Sequence, residues 1–180
     1  MCISSLAMVA QPGPSYWQQA IDYHIVVDLD HKAHSLTGDL TLVYTNNSPD
    51  TLQKAYFHLY FNAFQPGSMM DVRSRTIKDP DRRVTDRIYG LGPDEIGFQE
   101  VRELTQNGMP LGWEVNGTVL KCALAEPLLP GESTTFEMRW NAQVPKQIRR
   151  SGWNNKEGVE FTMTQWYPKL AEYDKDGWHP

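Results

Sequence analysis

The 180 residues carry 17 Lys and Arg against 22 Asp and Glu, a formal net charge of −5 at pH 7. That balance excludes a general phosphate-backbone binder, which needs a basic face, and no apolar run is long enough to span a bilayer as a helix. At 40% hydrophobic, with six Trp and eight Tyr, the chain is not disordered throughout; one domain of this length buries about two-thirds of its unfolded surface.

Before Asp22 there is no acidic or basic side chain. Ile3 to Ala10 is apolar, with small residues at Ser5, Ala7 and Ala10, and Gln11-Pro12-Gly13-Pro14 follows. Residues 1–15 therefore read either as the remnant of a secretory signal peptide, without its basic start, or as a flexible N-terminus. On the first reading the mature protein is secreted or periplasmic. Cys2 falls in this leader and Cys122 in a candidate strand, so neither a disulfide framework nor a thiolate metal cluster is indicated.

From Ala20 to Asp30, Ile21, Tyr23, Ile25, Val27 and Leu29 alternate with largely polar residues, the pattern of a half-buried antiparallel strand. Asp30 to Ser35 is a polar turn, and Leu36 to Thr45 alternates again, so the two make a hairpin. Asn46-Asn47-Ser48-Pro49-Asp50 is a dense turn signal. Leu52 to Phe64 reads as an aromatic-rich third strand, and 65–97 as a long surface excursion with room for a helical turn. Strand signals resume from Gly97 to Thr105. Asn107-Gly108 and Asn116-Gly117 mark tight turns around Trp113-Glu114-Val115, and Thr118 to Leu124 is the next strand. Pro127 to Glu132 reads as a loop, Ser133 to Val144 as a strand and Pro145 to Gly158 as a polar loop. The fold class that follows is all-β: an antiparallel β-sandwich or open barrel of many short strands with little or no helix.

The chain closes on Glu160-Phe161-Thr162-Met163-Thr164-Gln165-Trp166-Tyr167-Pro168. Phe161, Met163 and Gln165 alternate with Thr162, Thr164 and Trp166, so a strand is predicted that ends at Pro168. The residues alone leave two readings: a core strand whose aromatic tip packs under a loop, or the edge of a binding site. Elsewhere chemistry is hard to find. His31 and His34 form an H-x-x-H pair in a predicted turn, with no third ligand at suitable spacing, so a solvated turn is expected rather than a zinc site. His58 sits among aromatics and reads as a satisfied core histidine. Gly90-Leu91-Gly92-Pro93 lacks the lysine and helix of a phosphate loop, and Asp174-Lys175-Asp176-Gly177 lacks the later ligands of a calcium loop. No catalytic residue and no metal ligand set can be picked out by spacing.

Several segments together resemble a known family. Tyr16-Trp17-Gln18-Gln19 with Tyr23-His24-Ile25 and Leu36-Thr37-Gly38-Asp39-Leu40 resembles the first hairpin of the N-terminal domain in the aminopeptidase N family of zinc metallopeptidases. Tyr44 to Leu52, Phe57-His58-Leu59-Tyr60-Phe61-Asn62-Ala63-Phe64, Pro130-Gly131-Glu132, and Phe161 to Asp174 with Gly177-Trp178-His179 continue the likeness. It runs from Tyr16 to Pro180. The resemblance implies that residues 16–180 form a single saddle-shaped β-sandwich domain. It also implies that this domain packs on a thermolysin-like catalytic domain downstream in the same chain and lines the cleft that removes N-terminal residues from peptides. Zinc is expected in that catalytic domain, with none in residues 1–180, and the partners expected are that domain and a peptide substrate. In the family a Thr-Gln pair reaches the cleft, and Thr164-Gln165 looks like that pair. Gln165 is therefore the leading substrate-binding candidate, with Trp166 and Tyr167 lining the pocket or packing the interdomain face. The family's acidic residue two positions after the glutamine is Tyr167 here, a departure that bears on how a substrate amine would be held. The competing class is a carbohydrate-binding β-sandwich, which would need an exposed aromatic platform where a peptidase domain would show a bare apolar face.

Overall fold

The computed structural model describes residues 16–78 and 81–180; the reading of residues 1–15 as a signal remnant or flexible lead lies outside them, as do Cys2, Asp79 and Pro80. The first half of the chain forms β1 (Ala20–Asp30), β2 (Ser35–Thr45), β3 (Leu52–His58), a 3-10 turn (Tyr60–Ala63) and α1 (Met69–Thr76). The second half forms β4 (Phe98–Gln106), β5 (Met109–Pro110), β6 (Trp113–Asn116), β7 (Val119–Leu128) and β8 (Ser133–Gln143). Short strands follow: β9 (Gly152–Trp153), β10 (Phe161–Thr162), β11 (Lys169–Leu170), β12 (Glu172–Asp174) and β13 (Gly177–His179).

These strands build an all-β sandwich. One sheet has the order β1-β2-β8-β4-β5 and the facing one β11-β3-β7-β6, every ladder in both being antiparallel. Between them lie Leu40, Leu42, Phe136 and Met138 of the first sheet against Ala55, Phe57, Leu120 and Cys122 of the second, all at most 2% exposed. Phe57 and Phe136 meet edge to face across the layers at 5.7 Å. Burial raises the Cys122 thiol to about 11, so it packs as a small apolar residue. The turn after β2 is fixed by buried Asn46, whose amide donates to the carbonyls of Asp50 (2.7 Å) and Leu128 (3.1 Å) while its Oδ1 accepts from the Ser48 hydroxyl (2.6 Å). Asn107 and Gly108 both take positive φ, as an Asn-Gly hairpin turn requires.

Three expectations need correction. The third strand ends at His58, because the chain from Tyr60 to Ala63 winds into the 3-10 turn, which buries Phe61. The predicted loop at Pro127 is the end of β7: the β3–β7 register jumps from Lys54↔Ala123 to Leu52↔Leu128, so Pro127 falls in an irregular stretch where no ladder donor is required. The 65–97 excursion is not merely surface. Its helix α1 is capped by Ser68, whose Oγ accepts from the Asp71 amide (3.1 Å); buried Asp71 accepts in turn from Gly67 N (2.8 Å) and from both Nε and Nη2 of Arg75. The Arg75 guanidinium holds the Asp71 carboxyl below its ordinary value. Beyond α1, Val84 and Ile88 enter the core at 1% and 0% exposure.

Candidate functional site

The strand predicted through Tyr167 survives only as Phe161–Thr162, paired with Trp153 and Gly152. The reason is local. Ser151, 3% exposed, accepts from the Thr164 amide at 2.9 Å and donates to the Thr164 carbonyl at 2.7 Å, with the two hydroxyls 2.9 Å apart. A side chain that takes both backbone groups of Thr164 leaves that residue nothing to offer a ladder. Two residues on, the Trp166 carbonyl accepts from Gln99 Nε2 at 2.7 Å. Gln99 is itself 3% exposed, and its Oε1 accepts from Phe61 N at 3.3 Å.

Between these two anchors the backbone turns at Gln165, which adopts φ 56°. A left-handed backbone costs a side-chain-bearing residue about 1–2 kcal/mol, so the corner exists because both of its neighbours are held. Gln165 is exposed and projects from this corner, while Trp166 and Tyr167 are half-buried and pack inward. The Trp166 ring lies 6.0 Å from Trp140 and 5.3 Å from Tyr167, which meets Tyr23 of β1 at 5.4 Å. The Tyr23 hydroxyl accepts from Leu170 N at 2.9 Å, and burial pushes its pKa up to about 12. The three candidate residues thus stand together, but with different exposures: an amide presented to solvent and two rings that seat it. Gln165→Gly is expected to be more stable than Gln165→Ala by about 1 kcal/mol in urea titration, since only glycine relaxes the corner. Equal stabilities would mean that the corner is not strained.

Beside this corner lies an uncovered sheet face. In the β1–β2 ladder Ile21, Tyr23, Ile25, Val27 and Leu29 stand opposite Tyr44, Leu42, Leu40, Gly38 and Leu36 and share their face. The β2 residues of that row are buried, yet Ile21, Val27 and Leu29 are 36%, 37% and 41% exposed. The core face of the first sheet therefore runs one strand farther than the second sheet covers. The expectation that β1 would be half-buried holds at Tyr23 and Ile25, which pack against the core, and fails for that reason at Ile21, Val27 and Leu29.

The histidines do other work. His34 stacks on Trp153 at 4.0 Å with the rings 6° apart, so it packs rather than standing in a solvated turn. His58 is half-buried against Tyr60, and desolvation with the Lys169 charge lowers its pKa. Among the described residues no three His, Cys, Asp or Glu gather as a metal site. Asp174 to Gly177 forms the β12–β13 turn, where Asp176 N donates to the Asp174 carboxylate at 2.8 Å. Ser151 and Gln99, which shape the corner, gave no signal in the sequence.

No family profile matches the chain, and no curated protein matches it in sequence. Among solved structures, it is similar to a two-domain M1 zinc metallopeptidase mutant bound to L-tryptophan, with 17% identity and a TM-score of 0.45 over 86% of this chain and 28% of the other. It is also similar to an M1 zinc metallopeptidase from Deinococcus radiodurans, with 17% identity and a TM-score of 0.45 over 82% of this chain and 26% of the other. The chain thus spans about a quarter of the structures it matches. At such identities and TM-scores no role passes from them to this chain.

Proposed function

We propose that residues 16–180 are the non-catalytic N-terminal β domain of a secreted or periplasmic zinc aminopeptidase, packed on a downstream catalytic domain, with Gln165 touching the peptide substrate. The observation that carries this reading is the bare aliphatic face of β1, joined to the order of family-like segments from Tyr16 to Pro180. A sheet face continuous with the core but left uncovered by the described residues is a surface suited to meet another apolar surface. Tyr167, two residues past Gln165, meets Tyr23 of that face, which supports a reading in which a domain docked there would bring its cleft past the amide. The amide can hydrogen-bond a substrate's ammonium or backbone without adding charge. Among the described residues no ligand set for zinc gathers; in this reading the metal and the hydrolytic step belong to the downstream domain. A carbohydrate-binding module would need an aromatic platform, whereas the exposed large aromatics are scattered: Tyr16, Trp113, and Tyr89 under the Arg75 guanidinium.

The test is to read the frame beyond Pro180 and assay the whole enzyme. An H-E-x-x-H helix with a distal glutamate is expected there. Gln165→Ala is then expected to lower kcat/KM on short peptides by about 1–3 kcal/mol in transition-state terms. Unchanged kinetics remove Gln165 from the cleft, and a glycosidase domain downstream overturns the whole reading.

A further inference from the structure

A cavity of about 410 Å³ opens between the start of β1, the end of β2 and the strands β11 to β13. It is not the Gln165 corner: none of Gln165, Trp166 and Tyr167 lines it. At its wall is Tyr44, 2% exposed, whose hydroxyl has no hydrogen-bond partner among the described residues. Two nearby phenols are satisfied: Tyr173 donates to Asp50 Oδ2 at 2.8 Å, and the Tyr23 hydroxyl accepts from Leu170 N. A buried hydroxyl without a partner is a standing cost that a bound acceptor would relieve. Burial and the neighbouring Tyr173 raise the Tyr44 pKa, so it remains a neutral donor.

The cavity also holds an uncommitted cation. Lys169 stands opposite His58 in the β11–β3 ladder, and both line the space. Among the described residues Lys169 enters no salt bridge, whereas Asp174 is taken by His179 at 2.8 Å; Glu172 is exposed. Desolvation and the Lys169 charge lower the pKa of His58, which stacks on Tyr60. Across the cavity, Trp17 and Tyr173 stack at 6.1 Å and 24°, with Ile21 beside them as an apolar surface.

We propose that this cavity binds a small organic carboxylate, whose charge is answered by Lys169, whose oxygen accepts a hydrogen bond from the Tyr44 hydroxyl and whose apolar body lies against Trp17, Ile21 and Tyr173. The inference is independent of the peptidase reading. A carboxylate placed beside His58 favours the charged imidazole. Binding therefore raises the lowered His58 pKa, and by linkage affinity grows as pH falls through that pKa.

The full chain is titrated by NMR with benzoate, and with benzamide as its uncharged counterpart. Benzoate is expected to shift the Trp17 indole and His58 ring signals saturably and to raise the His58 pKa, with benzamide far weaker. Lys169→Ala should erase that preference. Tyr44→Phe is the sharper variant: it should weaken benzoate about fivefold or more yet raise the melting temperature of the free chain, since it deletes only an unpartnered buried oxygen. A role confined to packing would give no change in ligand affinity. No saturable shift below roughly 10 mM benzoate, or equal binding by wild type and Tyr44→Phe, overturns the proposal. So does benzoate binding that requires removal of residues 1–15, which would make them the occupant.

Discussion

Trp140→Ala should lower stability by about 3–5 kcal/mol, the cost of emptying a fully buried aromatic site. Trp140 is 0% exposed and lies on β8 directly across from Gly38 of β2. Its indole occupies the space over that glycine: a Cβ there would stand 2.5 Å from Trp140 Cε2 and 2.7 Å from Nε1. The ring thereby reaches across β2 toward β1 and contacts Trp166 beneath the Gln165 corner. Its loss opens a void that the hydrogen-bonded sheet cannot close, and it unseats Trp166 at the same time. For a chain of this size the melting temperature should fall by roughly 10 °C. Gly38→Ala is expected to share the effect in part, because methyl and indole cannot both be accommodated. A Trp140→Ala protein that melts within a degree of wild type would show that the indole is not what holds Trp166 and the β2–β8 face together.

Gly152→Ala is the second large effect, and it arises from backbone rather than packing. Gly152 has φ +144°, and a Cβ there would come within 2.3 Å of Gln147 Cα and 2.7 Å of the Pro145 carbonyl. Neither obstacle is the end of a flexible side chain, so the β9 strand itself must move. A loss of about 3 kcal/mol is expected. The displacement would be felt first at Ser151, the preceding residue, and through it at Thr164 and the Gln165 corner. Limited trypsinolysis should therefore speed up at Arg149, Arg150 and Lys156, on the loop around Gly152, in addition to the fall in the urea midpoint. Unchanged cleavage with lowered stability would separate the corner from β9.

The β1–β2 hairpin, the strand from Ser133 and the Asn107-Gly108 turn were legible because alternation and turn chemistry agreed there. The second turn falls one residue later than read, at Gly117-Thr118, since Asn116 pairs with Val119. The closing stretch was not. Its alternation from Phe161 to Trp166 has strand period, but the fate of Thr164 was decided by a serine thirteen residues earlier, and no local pattern reports such a bond. Gln165 was visible only through the resemblance, not through its spacing. The burial of Val84 and Ile88 was hidden by the charged residues around them, and the exposure of Val27 and Leu29 by the assumption that an apolar face finds cover. Alternation gives which face a side chain shares, while the extent of the opposing sheet decides whether that face is dry.

Among the described residues β1 is also an edge strand eleven residues long, with one ladder partner and a second row of backbone groups open to pairing. On its polar face Asp22, Asp28 and Asp30 set like charges against any second copy that would add to that edge. Acid removes this protection, and at Asp30 it does so only below the ordinary carboxylate range, since the amides of Ala33 and Lys32 hold its pKa down. The isolated chain should therefore self-associate as pH drops through the carboxylate range, so this one strand sets the lower pH limit at which the protein stays in solution.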